Sequence, residues 1–583
     1  GWQTTTWTLR RGALYLIPGD SPVGLRLPLD SLTWSALPAD FERSPFEDVD
    51  TLAPAGTLPA KPVKVVKVHD TAPTAIAVEE RDGHVRVFLP PLEQAEHVVE
   101  LLAVVEAAAA ELNQPVVIEG YPLPRDHRLD TLIVTPDPGV IEVNVQPTSS
   151  WTDLRQLVET LHEEARLTRL GTEKFTLDGS HTGTGGGNHV TLGGAKPADS
   201  PLLRRPDLLR SMITFWQHHP SLSYLFSGQF IGPTSQAPRV DEGRIDTVYE
   251  LEIAFAELER QGEDTTPWMV DRLLRHLLVD LTGNTHRSEF CVDKLFSPDS
   301  DRGRLGILEL RAFEMPPHPQ MALVQALLVR ALVARFWETP YTGRLVRWGT
   351  DLYDRYLLPW YVRADITDVV ADLCDHDIDF DPAWIEPFLE FRFPLVGEVA
   401  FDDVHLEIRR AIEPWHVLGE EVSESGTARY VDSSVERMQV KVQGFNEARH
   451  ILTCNGVPVP LHATATDGTS VAGVRFKAWA PWSALHPTID AHDPLVFDIV
   501  DRWSEKSLGG CKYEVSHPGG RSYDTFPVNA AEAEARRSSR FFTHGHTPGR
   551  VDIAELDRIA ATTRHEYPRT LDLRLQPPPD RPE

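Results

Sequence analysis

The sequence predicts an α+β protein, in which an antiparallel sheet with flanking helices carries the functional groups on one face and a β-rich C-terminal domain follows. Three observations predict it. Strand-like and helix-like stretches interleave through hairpins rather than through regular βαβ repeats up to about residue 394. Three polar strings, I-E-V-N at 141–144, G-T-G-G-G-N-H at 183–189 and L-E-L-R at 308–311, each lie on or against an alternating apolar run. From residue 395 the chain turns to short β-runs separated by Gly, Pro, Asn and Asp. The expected division is therefore an N-terminal β-type segment and loop at 1–62, a main domain at 63–394 and a β-rich domain at 395–583.

Residues 1–36 alternate as strands do, and 37–62 carry Pro, Asp and Gly without a sustained apolar period. Strands are expected near 63–68 and 84–89, and an Ala- and Leu-rich helix near 91–113. The apolar runs at 129–134 and 140–145 flank Pro136-Asp137-Pro138-Gly139, a turn sequence that makes them a hairpin. Helices follow near 152–168, 204–219, 246–259, 267–282, 321–338, 351–359 and 365–376, then β-runs at 404–412, 435–442 and 471–479. The Pro-rich 577–583 stretch is expected to be disordered.

At 583 residues the chain exceeds one ordinary core, so two or three domains are expected. Its 41% hydrophobic and 25% charged residues describe a globular protein. A net charge of −29 argues against general nucleic-acid binding, which needs Lys and Arg against phosphates, and the cluster Arg204, Arg205 and Arg210 reads as a solvated helix face. Cys291, Cys374, Cys454 and Cys511 are far apart without metal-knuckle spacing, which points to a reducing cytoplasm. The apolar stretch 321–336 is interrupted by Gln325 and Arg330, and no membrane span is expected. The first residue, Gly1, suggests a trimmed chain or a piece of a longer polypeptide.

The three strings carry the chemistry. Alternation places Glu142 and Asn144 on one strand face, about 7 Å apart, where two oxygen ligands can share a cation; a solvent-facing pair on a half-buried strand would look the same. Gly185, Gly186 and Gly187 let backbone amides approach an anion closely and end in Asn188 and His189 at the start of a strand. No Gly-Lys-Ser/Thr follows, and no helix start, so neither a Walker loop nor a dinucleotide fingerprint is present; a flexible hairpin loop remains open. Glu309 and Arg311 share a strand face, with Leu308 and Leu310 packing opposite, which sets a cation ligand beside a phosphate ligand or forms a plain salt bridge. No G-x-S-x-G elbow occurs, and neither Cys454 nor Cys511 is expected to act as a nucleophile. The His544-Gly545-His546 pair lacks further clustered ligands and is not expected to bind a metal.

In order and type these motifs resemble those of the glutamine synthetase and glutamate-cysteine ligase superfamily of carboxylate-amine ligases. More closely, the whole chain resembles the amidoligase domain at the C-terminal end of large bacterial transglutaminase-like proteins, including Ile17-Pro18-Gly19-Asp20-Ser21-Pro22 and 135–147. The resemblance implies a glutamine synthetase-like fold, ATP and Mg2+ as cofactors, a small-molecule or peptide carboxylate and an amine as substrates, and a transglutaminase-like domain upstream as a partner. It places Glu142, Asn144 and Glu309 at metals, His189, Arg287 and Arg311 in catalysis, and Gly185, Gly186, Gly187, Asn188, His189, Arg239, Arg287 and Arg311 at the nucleotide. Asn144 stands where the superfamily has an acid, and Glu119, Glu164 or Glu173 are candidates for further metal carboxylates. The implied reaction activates a carboxylate as an acyl phosphate, which an amine then displaces. On this reading Glu309→Ala abolishes metal-dependent nucleotide binding and leaves folding largely intact. Two rivals remain, a catalytically inactive ligase-like scaffold and a kinase of the phosphoguanidine type.

Overall fold

The computed structural model describes residues 3–5, 17–18, 25–26, 46, 49–59, 66–68, 76–124, 126, 128–137, 139–244, 246–262, 265–299, 303–423, 426–516, 523–562 and 566–575. The fold is mixed α+β. The 577–583 tail and most of 1–36 lie outside the described residues.

The first layer is small. His84–Leu89 pairs antiparallel with Ala77–Arg81 and parallel with Val116–Gly120, the helix Ala95–Leu112 forming the crossover between the parallel strands. Val87, Leu89 and Leu101 make its apolar contact. The expected hairpin follows as Ile133–Asp137 paired with Val140–Asn144. Alternation predicts one buried face, but Ile133, Val134, Ile141, Glu142 and Asn144 are all exposed, because the two strands pair only with each other.

The largest core runs from Leu202 to Ile412 and is mainly helical. In Pro206–His218 the residues Leu208, Leu209, Met212, Ile213 and Trp216 recur at helical spacing and are buried. Pro206, Pro319 and Pro359 each occupy a first helical position, where the missing N–H costs nothing. Pro359 also explains a boundary, since the helices expected at 351–359 and 365–376 are Asp351–Arg355 and Pro359–Asp375. The helix expected at 267–282 ends at Leu274, and the chain turns at Asp280, whose carboxylate accepts from Thr282 N and Asn284 N. Pro319–Glu338 is long and apolar enough to cross a membrane, yet Leu328, Val329, Leu332 and Phe336 are buried in this core.

Packed on this core is a three-stranded antiparallel sheet, Val190–Leu192, Leu308–Leu310 and Phe290–Cys291, with Leu308–Leu310 in the middle. Leu308 and Leu310 enter the helical core, so the period of two turns Glu309 to the opposite face.

The C-terminal region is a β-sandwich. One sheet runs Leu395–Phe401, Val404–Ala411, Val435–Gln443, Thr469–Lys477 and His462–Ala463, and Thr570–Asp572 joins it parallel to Thr469–Lys477. The other is built on His450–Cys454, Leu495–Asp501 and Lys506–Tyr513. Leu406, Ile408, Met438, Val440 and Val474 from the first sheet share a core with Leu452, Phe497 and Ile499 from the second. A separate hairpin, His416–Ser423 with Gly426–Asp432, reaches back to the helical region.

Candidate active site

The register of the three-stranded sheet assembles the site. Glu309 stands opposite Thr191 on one neighbour and opposite Cys291 on the other. Directly opposed side chains on one face lie about 5 Å apart. His189, two residues before Thr191, reaches Glu309 with Nδ1 at 3.2 Å from Oε1. Arg311, two residues beyond Glu309, donates from Nη1 to the same oxygen at 2.8 Å. Lys294 donates from Nζ to Oε2 at 3.3 Å. Burial of Glu309 opposes its charge, but the His189 hydrogen bond and the charges of Arg311 and Lys294 outweigh this and hold its carboxyl at about 2. Arg311 Nη1 also donates to His286 Nε2 at 3.1 Å, while its buried Nε has no hydrogen-bond partner. His286 turns Nδ1 towards Cys291 Sγ at 3.8 Å and Asp293 Oδ2 at 3.6 Å. Burial pushes the Cys291 thiol up to about 11, so it is a neutral group here.

The glycine run flanks this cluster and holds an anion of the chain's own. Its backbone pairs with the segment after Arg311: Asn188 N donates to Phe313 O at 2.8 Å and Met315 N to Gly186 O at 3.1 Å. Glu314 thereby lies beneath Gly183, and the Gly183 backbone hydrogen-bonds its carboxylate. Burial raises the Glu314 carboxyl, with Arg392 as the compensating charge. Burial likewise lowers the Arg392 guanidinium to about 10. Asn188 Nδ2 donates to Gln325 Oε1 at 2.7 Å and ties the loop to the Pro319–Glu338 helix. Gly185 has a φ of +94°, a conformation that an L side chain rarely adopts, and no atom lies near the position of its absent Cβ.

His189, Glu309 and Arg311 thus come together, with Gly185, Gly186, Gly187 and Asn188 beside them. The other expected residues stand apart. Glu142 accepts from Asn144 Nδ2 at 2.7 Å on the exposed hairpin, a pairing within one strand face. Arg239 is buried, and all its donors are engaged: Asp241 is bonded twice at 2.9 Å, Ser223 Oγ at 2.9 Å, and the carbonyls of Trp216 and Gln217 at 3.1 Å. Its guanidinium is a strut of the helical core with no N–H left for a phosphate. Arg287 turns to the C-terminal hairpin, meeting Glu420 at 3.1 Å and Asp280 at 3.8 Å. Of the spare carboxylates, Glu119 is clamped by Arg81 and Arg86, Glu173 lies 3.5 Å from His181, and Glu164 is exposed.

Lys294, His286, Cys291 and Glu314 belong to the site and carry no motif. Phe290–Cys291 is a strand of two residues, too short for a period to show. Cys454 and Cys511 are buried in the sandwich, where desolvation raises both thiols, Cys511 to about 12.

Chemically, the cluster offers one buried carboxylate, an unsatisfied Arg311 donor and an ammonium, an arrangement suited to an anionic ligand and a bridging cation. Comparison with curated proteins and with solved structures finds no match. A family model described as "Putative amidoligase enzyme (DUF2126)" matches residues 1–574, and the chain belongs to that family.

Proposed function

We propose that the chain is an ATP- and Mg2+-dependent amide-forming ligase that activates a carboxylate as an acyl phosphate, on a sheet of the glutamine synthetase type. The observation that carries this reading is the meeting of His189, Glu309, Arg311 and Lys294 on one face of an antiparallel sheet beside a glycine loop. Family membership supports the ligase class.

The residues fit the groups required. Mg2+ commonly takes one or two protein carboxylates and completes its shell with phosphate oxygens and water, and Glu309 is such a carboxylate. The buried, unpartnered Nε of Arg311 is a donor awaiting an acceptor, and Lys294 Nζ has N–H groups to spare after its bond to Glu309. When bound, Mg2+ supplies charge neutralisation at the phosphates. Arg311 and Lys294 then orient a γ-phosphate and stabilise the charge that spreads over its oxygens as the substrate carboxylate attacks phosphorus. His189, the imidazole that touches Glu309, is the group we assign to accept the proton of the incoming ammonium before the amine nitrogen attacks the acyl carbon and phosphate departs. The carboxylate is a small acid or a peptide terminus, and a transglutaminase-like domain upstream in the same polypeptide would deliver or consume the amide.

Titration calorimetry with a non-hydrolysable ATP analogue, with and without Mg2+, tests the reading. Saturable binding that requires Mg2+ and is lost in Glu309→Gln is expected. A second reading has its own support: Glu309 is already neutralised by two internal cations, Arg311 and Lys294, as in an inert scaffold. Absence of nucleotide binding under every condition favours it and overturns the first.

A further inference from the structure

The face that carries Glu309 also holds two groups, His286 and Cys291, that the ligase chemistry leaves unused. Cys291 lies opposite Glu309 in the strand register, and His286 approaches from the preceding loop. One ligand atom from each of His286, Cys291 and Glu309 falls within 4.8 Å of the other two. The edge between His286 Nδ1 and Cys291 Sγ is 3.8 Å. Two ligands on a tetrahedral ion, at bond lengths of about 2.0 and 2.3 Å, stand about 3.5 Å apart, so this edge requires only a small contraction and the other two, within 4.8 Å, a larger one.

We propose that His286, Cys291 and Glu309 form a binding site for a divalent ion of borderline softness, Zn2+ or its spectroscopic substitute Co2+, with a fourth position open. The donor set decides the class of ion. A sulfur, an imidazole nitrogen and one carboxylate oxygen suit zinc, whereas Mg2+ and Ca2+ prefer all-oxygen shells. Three protein ligands with an open place is the composition of catalytic zinc centres rather than structural ones.

The surroundings support ion entry. Two cations already sit on the Glu309 carboxylate, Arg311 on Oε1 and Lys294 on Oε2, so the position is built to hold positive charge. The Lys294 side chain is 43% exposed and can leave at little cost. Cys291 and Glu309 are buried and fixed by the sheet, while His286 is exposed and provides the entry side. Asp293 stands behind His286, with Oδ2 at 3.6 Å from Nδ1, and its buried Oδ1 accepts no hydrogen bond. Coordination through Nδ1 leaves the imidazole proton on Nε2, which Arg311 then vacates. The Cys291 thiol loses its proton to solvent, so one proton is released per ion bound. The ion thereby takes over Glu309 and frees Arg311 and Lys294 for an anionic ligand.

The inference does not depend on the ligase reading, because the ion would bind without nucleotide. The test uses the full chain, freed of metal by chelation, titrated with Co2+ in the absence of nucleotide. One equivalent is expected to give a sulfur-to-cobalt charge-transfer band and tetrahedral visible bands, both removed by Zn2+. Cys291→Ser is expected to lose the charge-transfer band and to weaken Zn2+ at least about 100-fold, more than is usual for an outer partner of a ligand. The exposed His286→Ala, which folds regardless of the sheet interior, is expected to weaken Zn2+ to a similar extent. Cys374→Ser, at the exposed cysteine, keeps the band. Stoichiometric Co2+ without a charge-transfer band, affinity unchanged in His286→Ala, or no saturable Co2+ at all would each overturn the site. The nucleotide calorimetry is a separate measurement, so failure of either proposal leaves the other readable.

Discussion

The carboxylate of Glu314 occupies the space that a side chain on Gly183 would need. The glycine run is thus glycine-rich in part because it closes over an internal acid, whose compensating charge is the buried Arg392.

Gly183→Ala is expected to destabilise the protein by about 1–3 kcal/mol, the usual cost of overpacking a fixed site. Gly185→Ala, at φ +94° with open space around it, is expected to cost backbone strain alone, of the order of 1 kcal/mol. Chemical denaturation of the two variants checks the order.

Glu309→Ala leaves Arg311, Lys294 and His189 without their common anion. Folding is therefore expected to suffer, in contrast to the expectation of a charge-dense acidic site whose repulsion the substitution would relieve, because cations surround Glu309. A loss of about 1–3 kcal/mol is expected, with Glu309→Gln losing less because the amide oxygen still accepts a hydrogen bond. Thermal melts of the two variants at neutral pH test this difference.

Glu289, buried beside Arg239 and accepting from Ser223 Oγ at 2.6 Å, has its carboxyl raised by desolvation to about 7. The folded state thus holds a proton that the unfolded chain releases near 4.5. The associated stability is fully present below that value and is lost as pH rises through about 7, by up to about 3 kcal/mol. Stability measured from pH 5 to pH 8 should fall, and Glu289→Gln should flatten the fall; an unchanged slope in the variant would assign the pH dependence elsewhere.

Ending the chain at residue 394 is expected to give insoluble protein. The buried Asp354 carboxylate accepts from Thr570 Oγ1 at 2.8 Å and from Arg569 N at 2.9 Å, and Arg437 of the sandwich donates to Tyr353 O at 2.6 Å. The buried Asp280 is likewise met by Arg429 of the C-terminal hairpin at 3.2 Å. Truncation strands Asp354 and takes from Asp280 the partner on its Oδ2 side that lies nearest. A soluble 1–394 fragment would show that the helical core stands alone.

The elements with a long period were legible: the 133–144 hairpin, the helices of the main core and the runs that became the sandwich. The meeting of His189 with Glu309 and Arg311 was legible through the order of motifs, since alternation alone says which face a residue takes but not which strand lies beside it. The setting of Arg239 was not legible, because only three-dimensional packing brings Asp241, Ser223 and two carbonyls around it. The setting of Arg287 was hidden similarly, its partner Glu420 lying 133 residues away. Lys294 and Cys291 gave no signal, and His286 only as the neighbour of Arg287, because two-residue strands and turn residues have no period to read.

The bond between Thr570 and Asp354 spans 216 residues of chain. A ribosome that has made the whole helical core still has the sandwich ahead of it, and the Asp354 carboxylate waits for a partner encoded almost at the end of the described chain. The strand Thr570–Asp572 therefore closes the interior of the helical core late in synthesis, and nascent chains stalled before it would carry an unfinished interior exposed to proteases and chaperones.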